Sequence, residues 1–342
     1  MNNIKVKDLK DYNFNQFNNG LLVEGDNLQA MQYMINNNFK DKIDLIYIDP
    51  PFCCKADEKF GMMPWNKNTQ SKNRVDELLP LIEQTAGLDI ANYLRFMYPR
   101  LCLMRELLSD KGSIYIHLDW HVGHYVKIMM DEIFGRENFV NEIIWNYGGR
   151  GAKAIANSYP RNHDMIFYFR KSYNKTIYNK IFEDRKFLIT DVKNTFKQDE
   201  NGKWFKTSPR GDYTDESIEK LKKENRIYIS NSGSIRIKYF LRSDDKYIYE
   251  DNIVLGDVWS DIADAMHMSK DERIDYATQK PEKLLERIIL ASSNENSIVL
   301  DAFCGSGTTA SVAEKLNRRW ITIDNNKQAI ECVIKRLTII KE

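Results

Sequence analysis

Two stretches of this chain combine residue types that could carry chemistry. The first is Asp49-Pro50-Pro51-Phe52, which follows an apolar run at 43–48 broken only by Asp44. Two consecutive prolines remove two N–H donors and stiffen the backbone where a strand would end, the edge at which open α/β sheets bind ligands. What remains is a carboxylate, carbonyl acceptors and an aromatic face. An exocyclic amino group donates two hydrogen bonds, and the base that carries it offers a flat π surface. Asp49 and the Pro50 carbonyl can therefore accept while Phe52 stacks.

The second stretch runs from Ile298 to Ala310, where the apolar Ile298, Val299 and Leu300 lead through Asp301, Ala302, Phe303 and Cys304 into Gly305-Ser306-Gly307. Glycines there let the backbone N–H groups approach a ligand, and the N-terminus of the helix that follows favours negative charge. Read literally, Gly305, Gly307 and Ala310 satisfy GxGxxA, and Asp324 lies 19 residues beyond Gly305. A dinucleotide pocket therefore has to be weighed. Position argues against it, because only 37 residues follow Gly305, too few for the sheet that follows a first Rossmann strand. The sheet must begin earlier in the chain, so the motif order is permuted.

The elements that must position these residues are short buried strands alternating with helices. Apolar runs predict strands at 21–23, 43–48, 113–118, 165–169, 298–300 and 320–323. Helical spacing predicts helices at 27–37, 90–108, 125–134, 281–291 and 309–316, the second kinked or split at Pro99. Alternation of this kind means βαβ units and a doubly wound α/β sheet. Between about 172 and 251 the pattern changes to Lys, Asn, Asp and Tyr, with a hairpin at 226–230 and 234–241 joined through Asn231-Ser232-Gly233.

Composition sets outer bounds. With 342 residues, 42% hydrophobic and 29% charged, the chain reads as an ordinary soluble globular protein. No apolar stretch approaches the roughly 18 to 20 residues of a membrane helix, and the first residues show no signal-peptide pattern, so a cytoplasmic location is expected. Cys53, Cys54, Cys102, Cys304 and Cys332 make neither a disulfide framework nor a CxxC zinc pair. His117, His121 and His124 are expected on a strand end and a helix start without an HExxH pattern, so no metal is assigned. The net charge is +1, but residues 170–250 hold 19 Lys or Arg against 13 Asp or Glu. That surplus of +6 is the place to look for phosphate contacts. Within it Arg236 and Lys238 share a strand face, which reads as solvated surface or as a DNA contact. The basic loop carrying Arg150, Lys153 and Arg161 reads equally as surface or as a grip on a nucleic-acid backbone.

Asp49-Pro50-Pro51-Phe52 resembles the D/N/S-P-P-Y/F catalytic motif of amino-methyltransferases, and the stretch Phe303 to Gly307 resembles their FxGxG S-adenosylmethionine loop. Catalytic motif first and cofactor loop last resembles the beta class of bacterial DNA methyltransferases, including modification subunits of type III systems. Gly25-Asp26-Asn27, Pro99-Arg100-Leu101 and the segments 112–119, 131–135 and 278–281 are similar to stretches of that group.

The resemblance implies a Rossmann-like seven-stranded methyltransferase sheet with circularly permuted motif order. Its catalytic half is 1–170, a target-recognition region is inserted at 171–254, and its cofactor-binding half is 255–342. It implies S-adenosylmethionine as cofactor, with Asp301, Phe303 and the Gly305 and Gly307 backbone at the methionine part. Lys280 and Pro281 would lie beside that part, Asp324 at the ribose hydroxyls and Asp26 at the adenine end. The expected reaction is methyl transfer to N6 of adenine in double-stranded DNA by base flipping. Adenine is preferred to N4 of cytosine because Asp49 opens the motif, whereas Ser-Pro-Pro-Tyr more often accompanies cytosine. Where type III enzymes usually carry Asn-Thr after the motif, this chain has Cys53-Cys54, and it is much shorter than those subunits. A cognate restriction enzyme is therefore not inferred, and a homodimer stays open. An RNA or protein-glutamine amino-methyltransferase would share the catalytic motif, a nicotinamide oxidoreductase would need a pyrophosphate at the glycine turn, and a non-catalytic DNA-binding module would have no use for that turn. The permuted order and basic insert favour DNA.

Overall fold

The structure is a computed structural model and describes residues 19–51, 74–148, 157, 159–192, 195–269, 272–274, 276 and 278–341. Phe52, Cys53, Cys54, Arg150 and Lys153 lie outside the described residues. The chain divides into two compact units, Met1–Asn179 with Gly256–Glu342, and Lys180–Leu255. The first unit begins with β1 (Gly20–Glu24), α1 (Asn27–Met34), β2 (Ile43–Ile48), α2 (Arg74–Ala86), α3 (Leu88–Leu107), β3 (Leu108–Leu118), α4 (Gly123–Phe134), β4 (Phe139–Asn146) and β5 (His163–Arg170). The second unit inserts β6 (Phe182–Leu188), β7 (Lys197–Gln198), β8 (Trp204–Pro209), α5 (Asp215–Lys223), β9 (Ile227–Ile229), β10 (Ile235–Phe240), β11 (Arg242–Ser243) and β12 (Tyr247–Val254). The first unit resumes with β13 (Val258–Trp259), α6 (Glu282–Ser292), β14 (Ile298–Asp301), α7 (Thr308–Lys315), β15 (Arg319–Asp324) and α8 (Lys327–Lys341).

The first unit is built on one sheet in the order β1-β15-β14-β2-β3-β5-β4-β13. Its neighbours are parallel except at β5, which runs antiparallel to β3 and β4. Successive side chains alternate between the two faces of a strand, so a strand buried on both faces must be apolar almost throughout. In β2, Ile46 and Ile48 join the core formed with Met31, Leu94, Met97 and Leu101, while Leu45 and Tyr47 are buried on the opposite face. The permutation is visible in the pairing: β14, from the C-terminal end of the chain, lies between β15 and β2. Leu300 stands opposite Ile46, which brings Asp301 and Asp49 to the carboxyl ends of adjacent strands.

Several features differ from the sequence reading. The sheet gains an eighth strand, β13, whose two residues are too few to show a period. Of the kink or split expected at Pro99, the split is absent, and α3 runs unbroken from Leu88 to Leu107. Buried Leu94, Met97, Leu101, Met104 and Leu107 hold the helix against the core on both sides of the proline, which outweighs one lost backbone bond. No helix among the described residues is long and apolar enough to cross a membrane.

The second unit contains a four-stranded sheet, β7-β8-β10-β9, and a three-stranded sheet, β11-β12-β6. The hairpin read from the sequence is present as β9 and β10, with Ile229 opposite Ile235. A small core of Val192, Phe196, Leu241 and Ile248 holds part of the unit together.

Candidate active site

A cavity of about 410 Å³ opens where β1, β2, β14 and β15 end. Asp26, Asp49, Pro50, Pro51, Lys280, Asp301, Phe303, Gly305 and Asp324 all line it. Gly307 and Pro281 do not: Gly307 caps α7 and Pro281 caps α6. Asp49 follows the last residue of β2 and forms an ion pair with Lys280. Both side chains are largely buried, with 16% and 13% of their surface exposed, so this pair is screened less than a surface one. A carboxylate has about four acceptor positions, so Asp49 can hold Lys280 and still receive an amino group.

The glycine turn is shaped by its own hydrogen bonds. Gly305 and Gly307 have φ of 47° and 75°, a region that favours glycine. A β-carbon on Gly307 would lie 2.7 Å from a Val333 methyl. The Gly305 N–H donates to Asp324 Oδ2 at 2.9 Å, and the Gly307 N–H donates to the Cys304 carbonyl at 2.8 Å. These two N–H groups are therefore engaged inside the turn, and the glycines serve its shape. Asp324 Oδ1 also accepts the Asn326 N–H at 2.9 Å, so this carboxylate anchors the turn while facing the cavity.

Asp301 is 3% exposed and accepts hydrogen bonds from the Phe303 N–H, at 3.0 Å, and from the Thr309 hydroxyl. Burial pushes its pKa up to about 7; the two hydrogen bonds oppose this, while the charges of Asp49 and Asp324 add to it. Asp26 caps α1 by accepting the Gln29 N–H at 3.1 Å.

Several residues at the cavity were given no role in the sequence reading. Arg100, 4% exposed within α3, donates from Nε to Asn27 Oδ1 at 2.6 Å and from Nη2 to Asp26 Oδ2 at 3.0 Å. Its guanidinium lies 3.6 Å from the centre of the Phe96 ring. Burial lowers its pKa, and the Asp26 charge and hydrogen bond oppose that. The available signal was a cation at an apolar helical position, three residues after Met97 and four before Met104. Tyr47, on β2, bonds His117 Nδ1 at 3.0 Å, and His117 Nε2 meets Asp164 Oδ2 at 3.1 Å. Burial raises the Tyr47 pKa well above its usual value, with Asp49, Asp301 and Asp164 adding to the effect. Burial also opposes ionisation of Asp164, but the His117 hydrogen bond and charge prevail and hold its pKa low.

Of the residues read as DNA contacts, Arg161, Arg236 and Lys238 are described, and none is among the residues that line this cavity. Arg161 stacks on Trp120, 3.7 Å from the ring centre. Arg236 donates to the Thr207 hydroxyl at 2.8 Å and carbonyl at 3.1 Å. Lys238 is buried, with its ammonium 3.3 Å from Asn225 Oδ1.

A family model described as DNA methylase matches residues 43–336. The chain belongs to that family. This methylase is 32% identical over 336 residues to the type II methyltransferase M.EcaI of Enterobacter cloacae, covering 92% of this chain and 68% of that one. It is 27% identical over 345 residues to the StyLTI Mod subunit of a type III restriction-modification enzyme of Salmonella typhimurium, covering 89% of this chain and 51% of that subunit. It thus spans about half the length of that subunit. Among solved structures it is similar to the cytosine-N4-specific PvuII DNA methyltransferase, with a TM-score of 0.54 and 14% identity over 93% of this chain and 86% of that one. At that identity the likeness is one of fold, and it agrees with the mixed sheet of the first unit.

Proposed function

We propose that this DNA methylase transfers a methyl group from S-adenosylmethionine to N6 of an adenine rotated out of duplex DNA. The observation that carries the reading is that one cavity joins the Asp49-Pro50 acceptor pair to the glycine turn and Asp301, although these come from opposite ends of the chain. The residues present fit the cofactor. Asp324 and Asp26 offer acceptors for ribose hydroxyls and the adenine end, and Asp301 supplies negative charge for a cationic ligand. When bound, S-adenosylmethionine supplies a methyl group on a sulfonium that is already a good leaving group. The chain has then to align an amino nitrogen and exclude water. Hydrogen bonds from the amino group to the Asp49 carboxylate and Pro50 carbonyl favour a pyramidal, nucleophilic nitrogen, and the charged acceptor makes the stronger of the two.

Asp49 at the head of the motif supports adenine. The test is to digest unmodified DNA after incubation with this chain and S-adenosylmethionine, then separate the nucleosides. N6-methyladenine is expected. N4-methylcytosine would overturn the choice of base, and no methylated nucleoside would overturn the reading.

We read the second unit as the target-recognition region. Arg236 and Lys238 are engaged internally, and other cations are better placed for phosphate. Lys186 and Lys246 are exposed and lie 3.6 and 5.1 Å from the centre of the Tyr247 ring. Aromatic rings interleaved with cations suit a nucleic-acid surface.

Asp301 makes cofactor affinity depend on pH. Its folded-state pKa is raised to about 7, so the carboxyl is increasingly protonated below that value and ionised above it. A cationic ligand favours the ionised form. Calorimetry should therefore show affinity for S-adenosylmethionine rising with pH towards 7 and levelling above, with a limiting slope of about tenfold per unit at low pH. Asp301→Asn should flatten this profile. A profile equally steep in that variant would move the titration to another group.

A further inference from the structure

The carboxyl edge of β3 carries a cluster that the proposed methyl transfer does not use. Beyond Leu118 the chain turns through Asp119, Trp120 and His121 before α4, and Trp120 leaves this turn 47% exposed. The indole is held in place all the same. His121 lies against it with ring centroids 3.7 Å apart, and Asp119 Oδ1 in turn accepts the His121 N–H at 3.0 Å. The Arg161 guanidinium packs 3.7 Å from the Trp120 ring centre. Arg161 is exposed and has neither a carboxylate nor a hydrogen-bond partner among the described residues. Because β2 and β3 are parallel, with Ile48 opposite Ile116, Asp49 and the Trp120 turn leave the same edge of the sheet. An ordered, half-exposed indole and an exposed cation thus sit at the edge from which the proposed target amino group is approached.

We propose that Trp120 and Arg161 form a DNA subsite, in which the indole stacks on a base face laid open by extrusion of the target and Arg161 contacts a neighbouring phosphate. The inference rests on the DNA methylase reading above and names a substrate contact for it. Extrusion leaves base faces without stacking partners, and every base has a π face that an aromatic side chain can cover. An exposed cation–π contact is weaker than stacking on a base. A base can therefore displace the guanidinium from the indole, and the freed cation meets the phosphate charge that accompanies any base. His121, held by Asp119, keeps the indole from turning away.

The test uses the full chain with unmodified plasmid duplex as probe, comparing the parent with Trp120→Ala and Trp120→Phe. Tryptophan emission is recorded during DNA titration, alongside methyl transfer, calorimetry with S-adenosylmethionine and thermal melting. DNA should quench the parent, and that component should be missing from Trp120→Phe although this variant still binds DNA. Trp120→Ala should lose about tenfold or more in kcat/KM for DNA, as removal of one stacking partner predicts. Trp120→Phe should stay within about threefold of the parent because a phenyl ring still stacks. Cofactor affinity and melting should be unchanged in both variants. Parental kcat/KM in Trp120→Ala, together with equal quenching in the parent and Trp120→Phe, would overturn the subsite and leave the methylase reading intact. Quenching that requires Trp120, in a chain that binds DNA without methylating it, would instead sink the proposed function and support the subsite.

Discussion

Asp49→Ala is expected to fold, to bind S-adenosylmethionine and DNA, and to transfer methyl groups about a hundredfold or more slowly than the parent. The backbone at this position is fixed from two sides. β2 is paired with β14 and β3, and Pro50 and Pro51 restrict the chain beyond it. Loss of a side chain at the strand end therefore leaves the main chain in place. The cofactor contacts proposed for Asp26, Asp301 and Asp324 do not pass through the Asp49 side chain, so affinity for S-adenosylmethionine should change little. What is lost is the charged acceptor that orients the amino group. The ion pair adds one consequence, because Lys280 loses this carboxylate in a largely buried setting. Asp49→Asn is the companion variant: it keeps an acceptor oxygen beside Lys280, and its rate should fall between those of the parent and Asp49→Ala. Methyl transfer to DNA measured beside calorimetry and thermal melting separates these effects. A near-parental rate in Asp49→Ala would remove the carboxylate from the chemistry and with it the proposed role of the motif.

The parts of the fold that could be read in advance are those whose sequence pattern has one physical cause. The strand at 43–48 was predicted with the bounds it has, because burial on both faces demands an apolar run and the prolines end it. The segment 298–316 was legible for a similar reason: strand, glycine turn and helix follow each other locally. β6 was missed because most of its residues are exposed, so Phe182–Leu188 carries no apolar period. β4 was missed as well, since Phe139–Asn146 mixes buried Ile143 and Trp145 with polar residues. In the site, Asp49 was legible from its place at a strand end, whereas Asp26, Asp301 and Asp324 were named through the family resemblance and Asp164 was not named at all. The partners were not legible, because they come from far along the chain. Arg100 meets Asn27 across 73 residues, and His117 meets Asp164 across 47. The glycine N–H groups illustrate a further limit. A pattern shows that the backbone can approach something, and here both N–H groups are taken by Asp324 and Cys304.

That use of Asp324 sharpens the expectation for Asp324→Ala, a loss of roughly tenfold to a hundredfold in affinity for S-adenosylmethionine. Asp324 ends β15, where it stands opposite Glu24 of β1, and its two oxygens accept the Gly305 and Asn326 N–H groups. Removing the carboxylate therefore has two effects. It takes away the acceptor proposed for ribose hydroxyls, and it releases the turn that lies beside Asp301. A part-buried N–H left without an acceptor costs about 1 to 3 kcal/mol, so a modest fall in melting temperature should accompany the loss of binding. Asp324→Asn separates the two effects poorly by itself, since its amide nitrogen would face one of the two N–H donors. Asn326→Pro would be uninformative for the same reason that it alters the turn. The cleaner comparison is between ligands. With Asp324→Ala, S-adenosylmethionine and S-adenosylhomocysteine should weaken alike, because both carry the ribose and only one carries the sulfonium charge. If S-adenosylmethionine alone weakens, Asp324 acts through charge at the sulfonium. If neither weakens, the adenosine end lies elsewhere in the cavity.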